Sequence, residues 1–409
     1  NIWEDVTSQH DEENGETMFG FDQEMFDRIW ENQHPKNCSE AKFVISGDWE
    51  SGFGSEIHLY GVGLAIALNL NRVFILPPNR VDSGMMDKMH SVNKYEVDNE
   101  FCRTQGKENI ECYYEPLTSC SFLDALPDGS IQRLKVEGLG DVTPISLIGQ
   151  TDRPEKTFML RYENIPDSTL PKIFENIIGC SPIAKHKHRY WWRSVSAAYI
   201  LRPNAATRKV IAEHRSDATL AFDKEKEHCV SVYIRRGDKD IEMKVLQNDT
   251  MFFEAARVLW QKIEDVTADE QPKMFIGSED PTVIESALSW GKKNNWSILY
   301  SNLFDRASVS TGHSGAEQAA ERQKSGELIH NPMEYMSTII NLDAHLRCSA
   351  FVCTHESNFC RIIDEMRATV AAKAHRPYAD FSCFYRDRSL HNWQSALDCA
   401  FLGDVEINW

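Results

Sequence analysis

Arg235-Arg236-Gly237-Asp238-Lys239 gathers three cations and an acid directly after the apolar and small residues Cys229 to Ile234. That run is β-prone, and Gly237 breaks it. Two guanidiniums at the carboxyl end of a strand stand where open α/β sheets bind their ligands. Arginine presents a rigid five-donor fork that matches phosphate oxygens. The chemistry this string suits is recognition of a phosphorylated ligand, such as a nucleotide-linked substrate. A solvated turn closed by its own ion pair suits it as well, because charged turns are common.

Two other stretches bear on that choice. Ser278-Glu279-Asp280 and Thr354-His355-Glu356-Ser357-Asn358 each follow a short apolar run. The second opens a helix, so its backbone N–H groups and the Ser357 hydroxyl form a natural phosphate seat. Arg235 and Arg236 then serve to neutralise a diphosphate as charge builds on it during bond cleavage. Glu279, Asp280 and Asp343 are the acids available to a base or a sugar hydroxyl. Helix capping is the structural alternative for Ser357 and Asp280. Gly52-Phe53-Gly54 lacks the third glycine of a dinucleotide fingerprint and the lysine of a P-loop. No Gly-x-Ser-x-Gly elbow occurs. Cys353, His355 and Cys360 follow no common zinc spacing.

The elements that must carry these residues read as alternating strands and helices. Phe43-Val44-Ile45-Ser46, a glycine loop, a helix over Ser55 to Leu70 and Val73 to Leu76 spell a parallel βαβ unit. Residues 80–180 read as irregular, and a helical pattern runs from Tyr190 to His214 with a break at Pro203. Beyond the arginine string, strands are expected at Lys273–Ile276, Ser297–Tyr300 and Ala350–Cys353. Helices are expected over Thr250–Ile263, to Lys293, over Pro332–Leu346 and over Asn358–Val370, with a lid-like loop at 305–330. This predicts two doubly wound α/β units with parallel sheets. The division expected is an acidic peripheral segment at 1–35, an acceptor-side domain at 36–225 and a sugar-nucleotide domain at 226–409.

Length and composition bound the rest. The 409 residues suffice for two cores, and a net charge of −18 argues against general nucleic-acid binding. Residues 185–215 nevertheless form a basic belt around Trp191 and Trp192, either a docking surface or a solvated helix face. The longest apolar run, near Tyr60 to Leu70, is too short to span a bilayer. With no leader at Asn1, the chain reads as a processed or truncated ectodomain whose membrane anchor lies elsewhere. Eleven cysteines suit an oxidising compartment. Sequons at Asn37, Asn248 and Asn295 are compatible with a lumenal protein.

Tyr233-Ile234-Arg235-Arg236-Gly237-Asp238-Lys239 resembles the His-x-Arg-Arg-x-Asp-Lys motif of the α1,6/α1,2/protein-O-fucosyltransferase superfamily. It looks most like the eukaryotic core α1,6-fucosyltransferases. Gly52 to His58, Tyr190-Trp191-Trp192, Ile200 to Pro203, Glu279-Asp280-Pro281, Leu342 to His345 and Phe351 to Arg361 are similar as well, in order over roughly residues 40–395. The resemblance implies an inverting, GT-B-like enzyme that moves fucose from GDP-fucose to a glycan without a metal or other cofactor. The acceptor it implies is the core GlcNAc of N-glycans, and the compartment is the Golgi lumen. Arg235, Arg236, Asp238 and Lys239 correspond to donor contacts, as do Glu279, Asp280, Asp343, Ser357 and Asn358. Glu242 is the implied base, with Met243 in the nominal column, and Glu56 and His58 fall on the acceptor side. Cys353 and Cys360 correspond to a disulfide around the phosphate loop. Tyr233 stands where the superfamily has His, and Glu279 where the core enzymes have Asp. Those departures leave the acceptor open rather than the donor; the rival readings are transfer of another sugar, a protein acceptor, or a catalytically silent homologue, the last suggested by Tyr233 and Met243. Nothing in the sequence fixes the oligomeric state.

Overall fold

The computed structural model describes residues 23–46, 52–77, 100–107, 109–125, 157–159, 170–171, 188–220, 222, 228–236, 248–302, 334–371, 373–374 and 376–382. Two compact units divide the chain, residues 1–207 with 365–374 and 409, and residues 208–364 with 375–408. Each contains a parallel sheet, so the α/β class expected from the alternation of elements holds.

In the first unit α1 (Gln23–Gln33) precedes β1 (Phe43–Ile45), α2 (Phe53–Asn69) and β2 (Val73–Ile75). Short helices α3 (Glu100–Thr104) and α4 (Phe122–Ala125), strand β3 (Thr157–Met159) and α5 (His188–Ile200) follow. The sheet order is β2-β1-β3, all parallel. Strands β1 and β2 are apolar at every position and fully buried, as strands covered on both faces must be. Strand β3 lies inside the stretch read from sequence as irregular; at three residues it carries no periodic signal.

Helix α2 is apolar almost all round and buried along most of its length. It packs on α5 through Gly61, where a Cβ would lie 2.5 Å from Ser196 Oγ. Trp192 Nε1 donates to the Gly61 carbonyl at 2.9 Å, which the missing side chain makes reachable. This corrects the reading of the tryptophan-bearing belt as a docking surface or solvated face. Trp191 and Trp192 are core residues, and Arg193 is buried beside them. Residues 23–33 of the acidic segment form a helix that buries Met25 and Ile29. Disulfides Cys38–Cys120 and Cys102–Cys112 cross-link this unit.

Helix α6 (Ala205–His214) leads into the second unit. There β4 (Val230–Tyr233), α7 (Asp249–Trp260), β5 (Lys273–Gly277), α8 (Pro281–Asn294), β6 (Ser297–Tyr300), α9 (Glu334–Arg347), β7 (Ala350–Cys353), α10 (Asn358–Ala368) and β8 (Tyr378–Asp380) alternate. The spatial order is β6-β5-β4-β7-β8, every pair parallel. Counted from the unit's first strand this is 3-2-1-4-5, the doubly wound Rossmann order. Its topological switch point falls between β4 and β7, at whose carboxyl ends open sheets bind their ligands.

Strong local signals build this unit. Asn248 caps α7 by accepting from Thr250 N–H, and Asp280 caps α8 by accepting from Thr282 N–H. Pro281 supplies the first-turn proline, and Asn295 ends α8 in the left-handed region at φ 60°. Val230, Val232, Phe252, Phe253, Leu259, Met274, Ile276 and Val352 interlock as one core. Each such side chain contributes about 1.5–3 kcal/mol on burial. Cys229–Cys348 staples the entrances of β4 and β7 together. Asp238, Lys239, Glu242 and the 305–330 loop lie outside the described residues.

Candidate functional site

Hydrogen bonds tie the ends of β4 and β5 in register. Ile234 N–H donates to the Gly277 carbonyl at 3.0 Å, and Ser278 Oγ donates to the Ile234 carbonyl at 2.8 Å. Gly277 has no room for a side chain, because a Cβ there would strike His345 Nε2 and lie 3.1 Å from Tyr233 Cδ2. The space is taken by an aromatic cluster in which Tyr233 meets Phe359 and His345 edge-on, with centroids 4.9 and 5.8 Å apart.

Glu279 organises the two arginines. Its Oε1 accepts from Arg235 Nη1 at 2.5 Å and from the Arg236 backbone N–H at 2.6 Å. The Tyr233 hydroxyl donates to Oε2 of the same carboxylate at 3.4 Å. Burial, and then the nearby Glu279 charge, holds that hydroxyl protonated well above the ordinary tyrosine range. Arg236 turns the other way and pairs its Nη2 with Asp249 Oδ1, at the start of α7. Burial pushes the Asp249 carboxyl up, while Arg236 opposes that shift. Two guanidiniums are thus fixed by two carboxylates and remain partly exposed at the strand end. Sequence reasoning singled out Glu279 but missed Asp249, which carried no signal beyond its place after a helix cap.

Across the switch point, the Thr354–Asn358 turn links β7 to α10. Ser357 is buried, its N–H donates to the Thr354 carbonyl at 3.1 Å, and Asn358 begins the helix. Arg361 reaches back with Nε to the His355 carbonyl at 2.5 Å and with Nη1 to Asn358 Oδ1 at 3.1 Å. Asp380, on β8, accepts from His355 N–H at 3.0 Å. These contacts replace the expected covalent clasp. Cys353 and Cys360 are neighbouring buried thiols, not a disulfide. Burial and the adjacent Cys360 raise the Cys353 pKa well above the thiol range.

The remaining candidates occupy defined places. Asp280 is the α8 cap, and its Oδ1 accepts from both Thr282 N–H and Thr282 Oγ1. Asp343 is buried on α9, where Arg215 binds it with a two-pronged fork at 2.9 and 2.5 Å. In the first unit, Glu56 accepts from the Tyr60 hydroxyl at 2.6 Å. His58 Nε2 meets both oxygens of Glu365 at 3.1 and 2.9 Å. Arg215 and Glu365 are partners that sequence distance concealed. Among the described residues, no group of three or more His, Cys, Asp or Glu is disposed to hold a metal ion. Nor is any described helix long and apolar enough to cross a membrane.

No protein-family model matches the chain. It is 23% identical over 351 residues to an α-(1,6)-fucosyltransferase of Caenorhabditis elegans, covering 84% of this chain. The chain spans about half, 53%, of that relative's length. Solved structures with loose likeness include the fucosyltransferase NodZ from Bradyrhizobium, at TM-score 0.39 and 11% identity. That superposition covers 79% of this chain and 93% of NodZ. POFUT1 in complex with GDP-fucose superposes at TM-score 0.41 and 12% identity, covering 84% and 98%. The sequence match, like the ordered motifs that accompany Arg235 and Arg236, makes the chain similar to fucosyltransferases over most of its length.

Proposed function

We propose that this chain transfers fucose from GDP-fucose, with inversion, to O6 of the core GlcNAc of N-glycans. The observation that carries the reading is the placing of Arg235 and Arg236 at the switch point of a 3-2-1-4-5 sheet, with the Ser357–Asn358 helix start on the adjoining strand. A nucleoside diphosphate needs paired cationic forks and helix-terminal N–H groups, and both are supplied there. The resemblance to an α-(1,6)-fucosyltransferase supports the choice of sugar and linkage.

In this reading an acceptor hydroxyl attacks the anomeric carbon of fucose. The new C–O bond forms on the face opposite the departing phosphate, and GDP leaves with the electron pair of the broken bond. Glu242 takes the hydroxyl proton. Arg235 and Arg236, with Lys239, stabilise the charge growing on the diphosphate. Asp238, Glu279, Asp280 and Asp343 order the donor loops or meet the nucleoside. Glu56 and His58 serve the acceptor side. The guanidiniums supply the charge a divalent cation would otherwise bring, so turnover unchanged by a chelator is expected. Three disulfides among the described residues support residence in an oxidising lumen such as the Golgi.

The test incubates the chain with GDP-fucose and biantennary N-glycans and reads products by mass spectrometry. A mass gain of one fucose on the core GlcNAc is expected. GDP release confined to other acceptors removes the acceptor claim, and release from another sugar nucleotide alone removes the donor claim. A parallel panel of sugar nucleotides separates these outcomes.

A further inference from the structure

His355 is 2% exposed and faces two acids on different elements. Its Nδ1 lies 3.1 Å from Asp380 Oδ2 on β8, and its Nε2 lies 3.6 Å from Asp364 Oδ2 on α10. The same Asp380 accepts from the His355 backbone N–H, and Ser382 N–H and Oγ donate to it in turn. Cys360 on α10 is a further titratable neighbour, the Tyr378 ring on β8 stands 6.4 Å away, and Arg361 binds the His355 carbonyl. A neutral imidazole has one N–H, and here each ring nitrogen faces a carboxylate. Only the imidazolium offers a proton to both.

We infer that His355 is a positioning residue for the diphosphate, an imidazolium that locks the Thr354–Asn358 turn between β8 and α10 and offsets the two carboxylates beneath it. The inference rests on the GDP-donor reading of that turn. Loss of the ring proton removes the positive charge that His355, two residues from Ser357, places between two part-buried carboxylates. An anion seat placed over those carboxylates alone binds phosphate less well. The turn also loses the clamp that orients its N–H groups. Burial, the largest single influence, lowers the ring pKa, but Asp380 and then Asp364 raise it, to about 9.

The experiment measures GDP binding by calorimetry on the whole chain between pH 7.5 and 10, where GDP's phosphates are already ionised; the guanine base loses its N1 proton in the same window for wild type and variants alike, so each profile is read as a difference from the His355→Gln baseline. Wild-type affinity is expected to fall on the order of tenfold, the effect of one charge roughly 10 Å away at an effective dielectric of about 20. Asp364→Asn removes one of the two carboxylates that hold the proton, so its affinity loss should move to lower pH. His355→Gln should already be the weaker binder at pH 7.5 and meet wild type at pH 10, with no inflection beyond that of the guanine base. A residue that only fills space would weaken binding equally at every pH and leave the midpoint in Asp364→Asn unmoved. A flat wild-type profile, or an unshifted midpoint in Asp364→Asn, overturns the inference while leaving the donor reading intact. Should His355→Gln fail to fold, the midpoint shift between wild type and Asp364→Asn, in which the guanine cancels, still decides. Absence of GDP binding by wild type at pH 7.5 overturns the donor reading and this inference with it.

Discussion

Arg235 Nη1 donates to Glu279 at 2.5 Å, and a guanidinium's five N–H donors lie in one planar fork, so one edge can hold a carboxylate while another faces a phosphate. That division of labour is what lysine lacks. An ammonium is a point charge, and it cannot hold the carboxylate in plane while forking onto two oxygens. In Arg235→Lys the Glu279 contact competes with the donor rather than aiming at it. Charge-assisted hydrogen bonds contribute about 1.5–3 kcal/mol each, so kcat/KM should fall roughly 10- to 100-fold. The fall belongs mainly in kcat, because the charge it answers grows during bond cleavage. Steady-state kinetics with saturating GDP-fucose check this, and near wild-type turnover would remove Arg235 from the transition state. Asp249 plays the matching part for Arg236, with its carboxyl pushed up by burial yet opposed by the arginine.

At the scale of elements, the Thr354–Asn358 turn ties stability to pH. His355 titrates at about 9 in the fold against 6.5 unperturbed, so its contribution is complete below pH 6.5 and is lost as pH rises through about 9. Asp380 is depressed below its ordinary 3.8, with burial opposing and the His355 charge and hydrogen bonds prevailing. Its contribution holds above that value and is lost as pH falls through the folded one. Urea midpoints should therefore be level near pH 5–6 and decline toward pH 9, with the decline missing in His355→Gln. A midpoint that stays constant from pH 6 to 9 in wild type would contradict the ion pair. The Cys229–Cys348 staple acts through the unfolded chain. It closes a loop of 119 residues, worth about 4–5 kcal/mol in the chain-entropy picture. Cys229→Ser with Cys348→Ser should lower the melting temperature by several degrees, measured by circular dichroism without reductant.

Much of this layer was legible from sequence. Strand β4, helices α7 and α8 and the Thr354 turn announced themselves through apolar runs, helical periodicity, Asp280-Pro281 and Ser357-Asn358. Strands β3 and β8 did not, because three residues show no period. The partners Asp249, Arg215, Asp380 and Glu365 were hidden for a different reason. They lie 13, 128, 25 and 307 residues from Arg236, Asp343, His355 and His58, and only topology brings them together. The Cys353–Cys360 pairing, implied by resemblance alone, failed because the spacing of two cysteines in sequence does not fix whether their sulfurs are bonded.

The whole molecule sets how an anionic donor arrives. The chain carries a net charge of −18, and the two arginines at the strand end each meet a carboxylate, Arg235 that of Glu279 and Arg236 that of Asp249. At close range these forks still reward a diphosphate, because hydrogen bonds form at partly desolvated groups and salt screens them weakly. At long range a GDP-sugar meets a field of its own sign. The Debye length is about 30 Å at 10 mM salt and about 8 Å at 150 mM, so added salt removes the repulsion before it touches the contacts. GDP association measured by stopped flow should therefore quicken, roughly two- to tenfold, between those concentrations, with dissociation nearly unchanged. Proteins that steer phosphates with a net basic surface behave in the opposite sense. An on-rate that falls as salt rises would mean that a local excess of positive charge outweighs the molecule's overall acidity, and Lys239 would be the first side chain to neutralise in search of it.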